Sequence, residues 1–238
     1  MFEELDCQET PLGLLSLRKR AELRLDNRIV YEVKLGDEFL MSSLFPEAEI
    51  QLSKLGLQAL RSNGHATDLH IIVGGLGLGY TAAAVLEDED VCSLTVIDIM
   101  PTVIDWHQRH LVPLGETLCS DPRCSLQLAD FFELATNSDS TFLGVDQKVQ
   151  GVFLDIDHSP SWWLDKENSR FYTQESLSKM RKKMVSGGVF GLWSDELPSD
   201  EFTALLESVF QKAEVHVISF PNPYTGKEST NSVYLAQA

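Results

Sequence analysis

The sequence is short of basic residues. Its 238 residues include 19 lysines and arginines but 36 aspartates and glutamates, so the formal net charge is −17 at pH 7. A surface this negative repels nucleic acids and anionic membranes, and it attracts small cationic molecules. We therefore expect a small cation as partner, with no nucleic acid and no membrane. High net charge also serves solubility alone, which is the plainer interpretation of the same composition.

Cysteine is scarce as well, and the cysteines do not suggest a metal site. Cys119 and Cys124 lie five apart, but no second pair and no nearby histidine completes a zinc site, so we expect buried, reduced thiols and no metal. The acidic N-terminal sequence lacks the basic-then-apolar order of a secretion signal. The uncharged stretch 71–86 is shorter than the ~18–20 residues of a membrane span. These absences predict a cytoplasmic protein.

The chain divides near residue 65 into two predicted domains. In the first, residues 1–64, three short runs rich in β-branched or alternating apolar residues predict a small antiparallel meander. A helix is predicted to follow them from Pro46 to Arg61. The three runs are 14–18, 29–34 and 37–41.

The second predicted domain, residues 65–238, alternates strands with helices. This alternation predicts an α/β fold in which helices cover both faces of a parallel sheet. Only a short loop joins the last two strands, so these should form an antiparallel hairpin. A seven-stranded sheet with an antiparallel last strand resembles the Rossmann-like layout of the class I S-adenosylmethionine-dependent transferases. The predicted strands are 69–73, 94–97, 125–128, 151–154, 188–193, 215–220 and 232–236, and the predicted helices are 80–88, 101–110, 174–184 and 200–211.

A glycine-rich loop is the strongest functional signal. An apolar strand runs directly into Gly75, Gly77 and Gly79, and an alanine-rich helix follows. Glycine is needed where backbone turns tightly and lies against a ligand without a Cβ. The next strand ends at Asp98, whose carboxylate can accept hydrogen bonds from both ribose hydroxyls. Together they predict a nucleoside site, and the strand count favours an S-adenosylmethionine-type ligand over NAD. The plainer alternative for the glycines is a tight turn.

Asp130 follows the third strand of this domain. Its carboxylate can accept a hydrogen bond from an adenine amino group while Phe131 packs nearby, so we predict that both contribute to the cofactor site. An aspartate is equally natural there as the N-cap of a helix over 131–136.

Three polar residues follow the strand at 151–154. Asp155, Asp157 and His158 come at its carboxyl end, the edge at which open α/β sheets bind ligands. Two carboxylates and an imidazole can hold an ammonium and take its proton. Asp155 is therefore the predicted proton acceptor, with the other two as neighbours that bind the acceptor substrate. The alternative is that Asp157 caps a turn and His158 is exposed. The predicted packing residues downstream are Trp162, Trp163 and Tyr172.

These motifs, in this order, resemble those of the spermidine synthase (polyamine aminopropyltransferase) family. The resemblance implies a class I nucleotide-binding fold behind a small N-terminal β domain, in an oligomer that we expect to be a homodimer. It also implies transfer of an aminopropyl group from decarboxylated S-adenosylmethionine to a diamine, a small cationic amine acceptor. The similar segments are DEF at 37–39, GGLGLG at 74–79, Asp98, ADF at 129–131, LDIDHSP at 154–160, FY at 171–172 and SGGV at 186–189.

The resemblance also assigns roles to single residues. Asp98 matches the family's ribose-binding acid, and Asp130 matches its adenine-binding acid. Asp155 matches the first aspartate of the family's DSSDP loop, which is thought to deprotonate the attacking amine. Tyr224 resembles a C-terminal tyrosine that helps to orient the acceptor.

Several positions depart from the family's pattern. The family's loop reads GGGDGG, and its aspartate holds the aminopropyl ammonium, whereas GGLGLG has no acid. His158 falls on the second aspartate of DSSDP, with Asp157 beside it as a substitute, and Trp193 falls on a glutamine. Three functions stay open: alkyl transfer to an amine, methyl transfer from intact S-adenosylmethionine with Trp193 shaping the acceptor pocket, and non-catalytic nucleoside binding.

Overall fold

The N-terminal part forms a four-stranded antiparallel sheet. The computed structural model describes residues 2–11, 13–139, 141–144 and 147–238. The strands pair in the order β1-β2-β3-β4, and the sheet buries Leu15, Leu17 and Val33 on one face. The sequence does not predict β1, since its many acidic side chains are mostly exposed and give no apolar alternation. The strands are β1 (Phe2–Thr10), β2 (Gly13–Glu22), β3 (Arg28–Leu35) and β4 (Glu38–Ser42).

The helix α1 (Glu47–Ser62) follows these strands and packs on the second, larger sheet. Its inner face buries Leu52, Leu57 and Leu60. Gly56 lets the helix approach so closely that a Cβ there would lie 2.4 Å from Cε1 of Phe153 in the sheet. The division at residue 65 groups α1 with the N-terminal strands, whereas its packing joins it to the larger sheet.

The larger sheet has seven strands in the order β10-β11-β9-β8-β5-β6-β7. Neighbours from β9 to β7 are parallel, and β11 runs antiparallel to both β9 and β10, which confirms the predicted fold class. The short helix α4 is not predicted by the sequence. The elements are β5 (Leu69–Gly74), α2 (Tyr80–Leu86), β6 (Val91–Asp98), α3 (Pro101–Gln108), α4 (Gly115–Ser120), β7 (Cys124–Leu128), α5 (Phe131–Thr136), β8 (Val149–Leu154), α6 (Gln174–Arg181), β9 (Met184–Ser194), α7 (Asp200–Val209), β10 (Lys212–Asn222) and β11 (Lys227–Gln237).

Two apolar clusters cover the two faces of this sheet. Alternate strand residues point to opposite faces, so Ile71 and Phe153 pack in the cluster with α1, and Ile72 and Val152 pack in the cluster with α6 and α7. The clusters fix the strands, and therefore the loops at their carboxyl ends. The four cysteines are free thiols, but three of them are exposed rather than buried as predicted. Among the described residues no helix is long and apolar enough to cross a membrane.

Candidate active site

A cavity of about 300 Å³ lies where the carboxyl ends of β5 and β8 face the N-terminal sheet. Its walls come from β4, the first turn of α1, the glycine loop, the loop after β8, and the β10–β11 hairpin. Three polar side-chain atoms on these walls are closed to solvent and have no hydrogen-bond partner among the described residues. They are Oε2 of Glu49, Nε2 of His158 and Nε1 of Trp193. Buried polar atoms are normally paired, so this cavity has the character of a ligand site.

The glycine loop forms one wall, and its conformation requires glycine. Gly75, Gly77 and Gly79 have φ angles of 95°, 49° and 90°, a region that side chains with a Cβ rarely adopt. A Cβ on Gly75 would lie 2.0 Å from the carbonyl oxygen of Asp155. The loop therefore lies directly against the end of β8, where the predicted proton acceptor follows.

Asp98 holds the start of this loop. Its Oδ2 accepts a hydrogen bond from the backbone N–H of Leu76 (2.9 Å), and its Oδ1 accepts one from the N–H of Met100 (2.7 Å). Burial raises the pKa of this carboxyl. Each carboxylate oxygen has a second lone pair, so the predicted contact with ribose hydroxyls is compatible with this role and stays a prediction.

Asp130 caps α5, as the alternative interpretation holds. Its Oδ1 accepts hydrogen bonds from the N–H groups of Phe132 (2.8 Å) and Glu133 (3.1 Å). Oδ2 takes no part in the cap, so it can still accept from an adenine amino group. Phe131 requires a correction, because its ring is only 2% exposed and packs against Phe142. The ring belongs to the core and offers a cofactor no surface in this conformation.

Asp155 lies at the end of β8 and lines the cavity. The Thr81 hydroxyl in α2 donates a hydrogen bond of 2.6 Å to its Oδ2, which fixes the carboxyl and leaves Oδ1 able to accept from a ligand. Burial raises the pKa of Asp155, and the hydrogen bond from Thr81 opposes that shift only in part. A carboxylate with a raised pKa is a stronger base at neutral pH.

Glu49 is a site residue that the sequence reasoning missed. It lies in the first turn of α1 and lines the same cavity as Asp155. Burial raises the pKa of Glu49, and the nearby charge of Asp155 raises it further. In the sequence, an acid just after Pro46 is typical of a helix start, where acids favour the helix dipole. Only the fold shows that this acid lines the same cavity as Asp155.

Asp157 does not line the cavity, which corrects its predicted role in binding an acceptor. It is 3% exposed. Its Oδ1 accepts hydrogen bonds from the N–H of Leu164 and from Nδ2 of Asn168, both 2.8 Å, and its Oδ2 accepts one of 2.8 Å from the hydroxyl of Tyr172. The carboxylate of Asp157 organises the loop after β8 by accepting from these three donors. The alternative in which Asp157 caps a turn therefore fits the structure better than a role in binding an acceptor.

His158 lines the cavity and is only partly exposed, and its predicted contact with the acceptor stays a prediction. Its Nε2 lies 3.5 Å from Oε1 of Glu38, and its Nδ1 lies 3.7 Å from Oδ2 of Asp195. Glu38, from the DEF segment, is a second acid that the sequence reasoning did not place here. The two carboxylates beside this imidazole add to the acidic character of this end of the cavity.

Trp193 also lines the cavity, and its predicted contact with the acceptor stays a prediction, whereas Tyr224 does not line it. The Tyr224 hydroxyl accepts a hydrogen bond from Nη2 of Arg20 (2.8 Å) and donates one to Oε2 of Glu22 (2.7 Å). Tyr224 therefore ties the β10–β11 hairpin to the N-terminal sheet and is not a cavity wall, which corrects its expected role in orienting the acceptor. From the same hairpin, Asn222 is a cavity residue.

Comparisons with solved structures identify the fold. A spermidine synthase in complex with the transition-state analogue AdoDATO matches with a TM-score of 0.72 at 14% identity, over 98% of this chain and 73% of that chain. The spermidine synthase of Thermotoga maritima matches with a TM-score of 0.69 at 14% identity, over 98% and 72% of the two chains. Human methyltransferase-like protein 13 in complex with SAH matches with a TM-score of 0.57 at 18% identity, over 80% and 82%.

No protein-family model matches this chain, and no curated protein matches it. The likeness is therefore one of structure, and it extends over both the N-terminal sheet and the seven-stranded sheet in the spermidine synthases. The fold of this chain is the spermidine synthase-like form of the class I S-adenosylmethionine-dependent transferase fold.

Proposed function

We propose that the protein transfers an alkyl group, an aminopropyl group, from a sulfonium nucleoside of the S-adenosylmethionine type to an amine. The observation that carries this proposal is the set of enclosed, unpartnered polar atoms in the cavity, chief among them the Glu49 carboxyl close to Asp155. None of the described residues that line the cavity is a lysine or an arginine. A protonated amine is the ligand that such walls attract.

The glycine loop and the ends of β6 and β7 supply the donor site. Gly75, Gly77 and Gly79 have no Cβ to block a nucleoside, and the side chains of Leu76 and Leu78 are buried in the core. Asp98 accepts from the ribose hydroxyls, and Asp130 accepts from the adenine amino group through its Oδ2. The solved neighbours support this assignment, since one is in complex with AdoDATO and another with SAH.

Asp155 takes the proton of the acceptor in this mechanism. Amines are mostly protonated at neutral pH, whereas the attacking nitrogen needs a free electron pair. Asp155 holds the ammonium through Oδ1 and aligns the nitrogen with the carbon attached to sulfur. The proton passes to Asp155 first, which frees the electron pair with which the nitrogen forms the C–N bond. The C–S bond breaks, its electron pair returns to sulfur, and the sulfonium leaves as a neutral thioether.

Donor choice follows from the charge of the cavity. The carboxylate of intact S-adenosylmethionine would meet acidic walls without a counter-charge, whereas the decarboxylated donor presents only an ammonium. Two unit charges ~4 Å apart at an effective dielectric of about 20 interact by about 4 kcal/mol before desolvation. A third of that energy changes a binding preference about tenfold. The cavity therefore favours the decarboxylated donor.

Methyl transfer from intact S-adenosylmethionine is the second candidate function. Leu76 and Leu78 flank Gly77 where the resembled family has its aspartate, so the loop itself carries no charge that repels a donor carboxylate. Trp193 supplies a flat apolar wall for an acceptor.

Product analysis distinguishes the two functions. The protein is incubated with either donor and with 1,3-diaminopropane or 1,4-diaminobutane, and the products are identified by mass spectrometry. Aminopropyl transfer yields 5′-methylthioadenosine and an amine enlarged by one aminopropyl group. Methyl transfer yields S-adenosylhomocysteine and a methylated amine. Binding of a nucleoside without either product would contradict both and would favour the non-catalytic alternative.

A further inference from the structure

Two enclosed carboxyls from distant parts of the chain share one cavity. Glu49 comes from the first turn of α1, and Asp155 comes from the end of β8. Thr81 donates to one oxygen of Asp155, but Oε2 of Glu49 has no partner among the described residues and is closed to solvent. An enclosed carboxylate without a partner is costly, and two neighbouring carboxylates are more so.

Without a bound ligand, Glu49 and Asp155 avoid this cost when one of the two carboxyls keeps its proton. Burial raises the pKa of both carboxyls, and the charge of Asp155 raises that of Glu49 further. Of two acids so placed, the one that ionises first disfavours ionisation of the other. At neutral pH the pair therefore carries less negative charge than two exposed carboxyls carry.

We propose that Glu49 and Asp155 form a proton-sharing carboxyl pair that recognises the protonated amine of a substrate and releases its proton when that cation enters. The identity of the amine as a substrate rests on the proposed function, whereas the proton linkage rests on the cavity itself. The positive charge of the ammonium stabilises both carboxylates, so the shared proton leaves to solvent. Amine affinity then rises with pH through the range in which the empty pair titrates.

Other ionisable groups lie on the elements that surround the pair. Burial raises the pKa of Tyr80, so its phenol stays neutral in this range. His158 is the alternative source of a released proton, since it lines the same cavity and an imidazole can carry a proton. The ionisable neighbours are Glu47 in α1, Tyr80 in α2, His158 in the loop after β8, Glu38 and Asp195 beside that histidine, and Arg28, whose charge reaches Tyr80.

Calorimetric titration with 1,4-diaminobutane tests the proposal. Titrations at pH 7 in two buffers of different ionisation enthalpy give the number of protons released. The native protein should release close to one proton per diamine bound. Glu49→Gln should release almost none and should bind the diamine about tenfold more weakly or worse. Asp155→Asn removes the neighbouring charge but not the burial of Glu49, so it should release fewer protons than the native protein, and it serves if the first variant does not fold.

Glu47→Gln is the matched control. Its Oε2 is also closed to solvent and has no partner within the described part of the chain, but Glu47 does not line this cavity, so native proton release should persist. Release that survives Glu49→Gln, or that disappears in His158→Gln alone, would overturn the proposal. A separate titration with 5′-methylthioadenosine tests the proposed function. If the protein does not bind the nucleoside, the proposed function is wrong. The proton release that accompanies diamine binding would be unaffected by that result.

Discussion

Asp155 and Asp157 are two positions apart, yet their surroundings give them different tasks. Asp157 accepts hydrogen bonds from Leu164, Asn168 and Tyr172, so both of its carboxylate oxygens are engaged in organising the loop. Asp155 receives a side-chain hydrogen bond from Thr81 and keeps an oxygen for a ligand in the cavity. The sequence cannot separate the two, because the donors to Asp157 arrive from residues that follow a fold-dependent turn.

We predict that Asp155→Asn lowers turnover about 10²–10⁴-fold, because it keeps the shape of the side chain but removes the base. Affinity for 5′-methylthioadenosine should change little. Asp157→Asn is the paired variant, and it should lower the melting temperature more than it lowers turnover per folded molecule. Full turnover in a folded Asp155→Asn protein would show that another group takes the proton, and His158 would be the first candidate.

The raised pKa of Glu49 predicts a pH dependence of stability. Its pKa is higher in the folded protein than the usual 4.5, so the folded state binds the proton more tightly than the unfolded state. That contribution to stability is present at low pH and is lost as the pH rises above about 4.5 towards the raised value. In urea unfolding, Glu49→Gln should therefore lose less stability than the native protein between pH 5 and pH 8. Equal losses would show that Glu49 titrates normally.

At the scale of elements, the junction between the glycine loop and β8 is the part that positions the site. Gly75 has φ 95° and lies against the Asp155 carbonyl oxygen. Gly64 has a similar φ of 93°, but no atom would lie within 4 Å of an added Cβ. Comparing the two glycines therefore separates the energetic cost of backbone strain from the cost of a close contact with β8.

We predict that Gly64→Ala costs about 1–2 kcal/mol of stability, which is the strain of a left-handed conformation. Gly75→Ala should cost a further ~1–3 kcal/mol, since its Cβ also forces the loop away from β8. Denaturant unfolding gives both values. Nearly equal costs would mean that the loop moves freely and does not position Asp155.

The sequence predicts most elements of the seven-stranded sheet because their apolar periodicity is local. The strands β5 to β11 each overlap a predicted strand, and the antiparallel hairpin follows from its short loop. Local patterns do not show which distant side chains meet. Glu49 is missed for that reason, and Tyr224 is misassigned because its partners, Arg20 and Glu22, lie at the other end of the chain.

At the scale of the whole molecule, the cavity exists because the N-terminal sheet stands over the carboxyl edge of the larger sheet. Walls from both sheets enclose it, and the contact of Tyr224 with Arg20 and Glu22 joins the β10–β11 hairpin to the N-terminal strands. The net charge of −17 adds a long-range attraction for cations that is independent of the cavity's shape.

We predict that Tyr224→Phe lowers the melting temperature by at most about 2–4 °C, because it removes a partly exposed pair of hydrogen bonds and keeps the ring. Turnover should stay near the native value, since Tyr224 does not line the cavity. Thermal melts and steady-state kinetics on the same preparation provide the check. A loss of turnover with unchanged stability would restore the direct role in acceptor binding that the family resemblance implies.

The most direct test of the central claim, a sulfonium-nucleoside site beside the acidic cavity, is calorimetric titration of native protein and Asp98→Ala with 5′-methylthioadenosine. The native protein should bind the nucleoside. A correctly folded Asp98→Ala protein should bind it about 10- to 150-fold more weakly, which corresponds to the loss of roughly 1.5–3 kcal/mol from charge-assisted hydrogen bonds to the ribose. No binding by the native protein, or equal binding by the variant, would contradict the account.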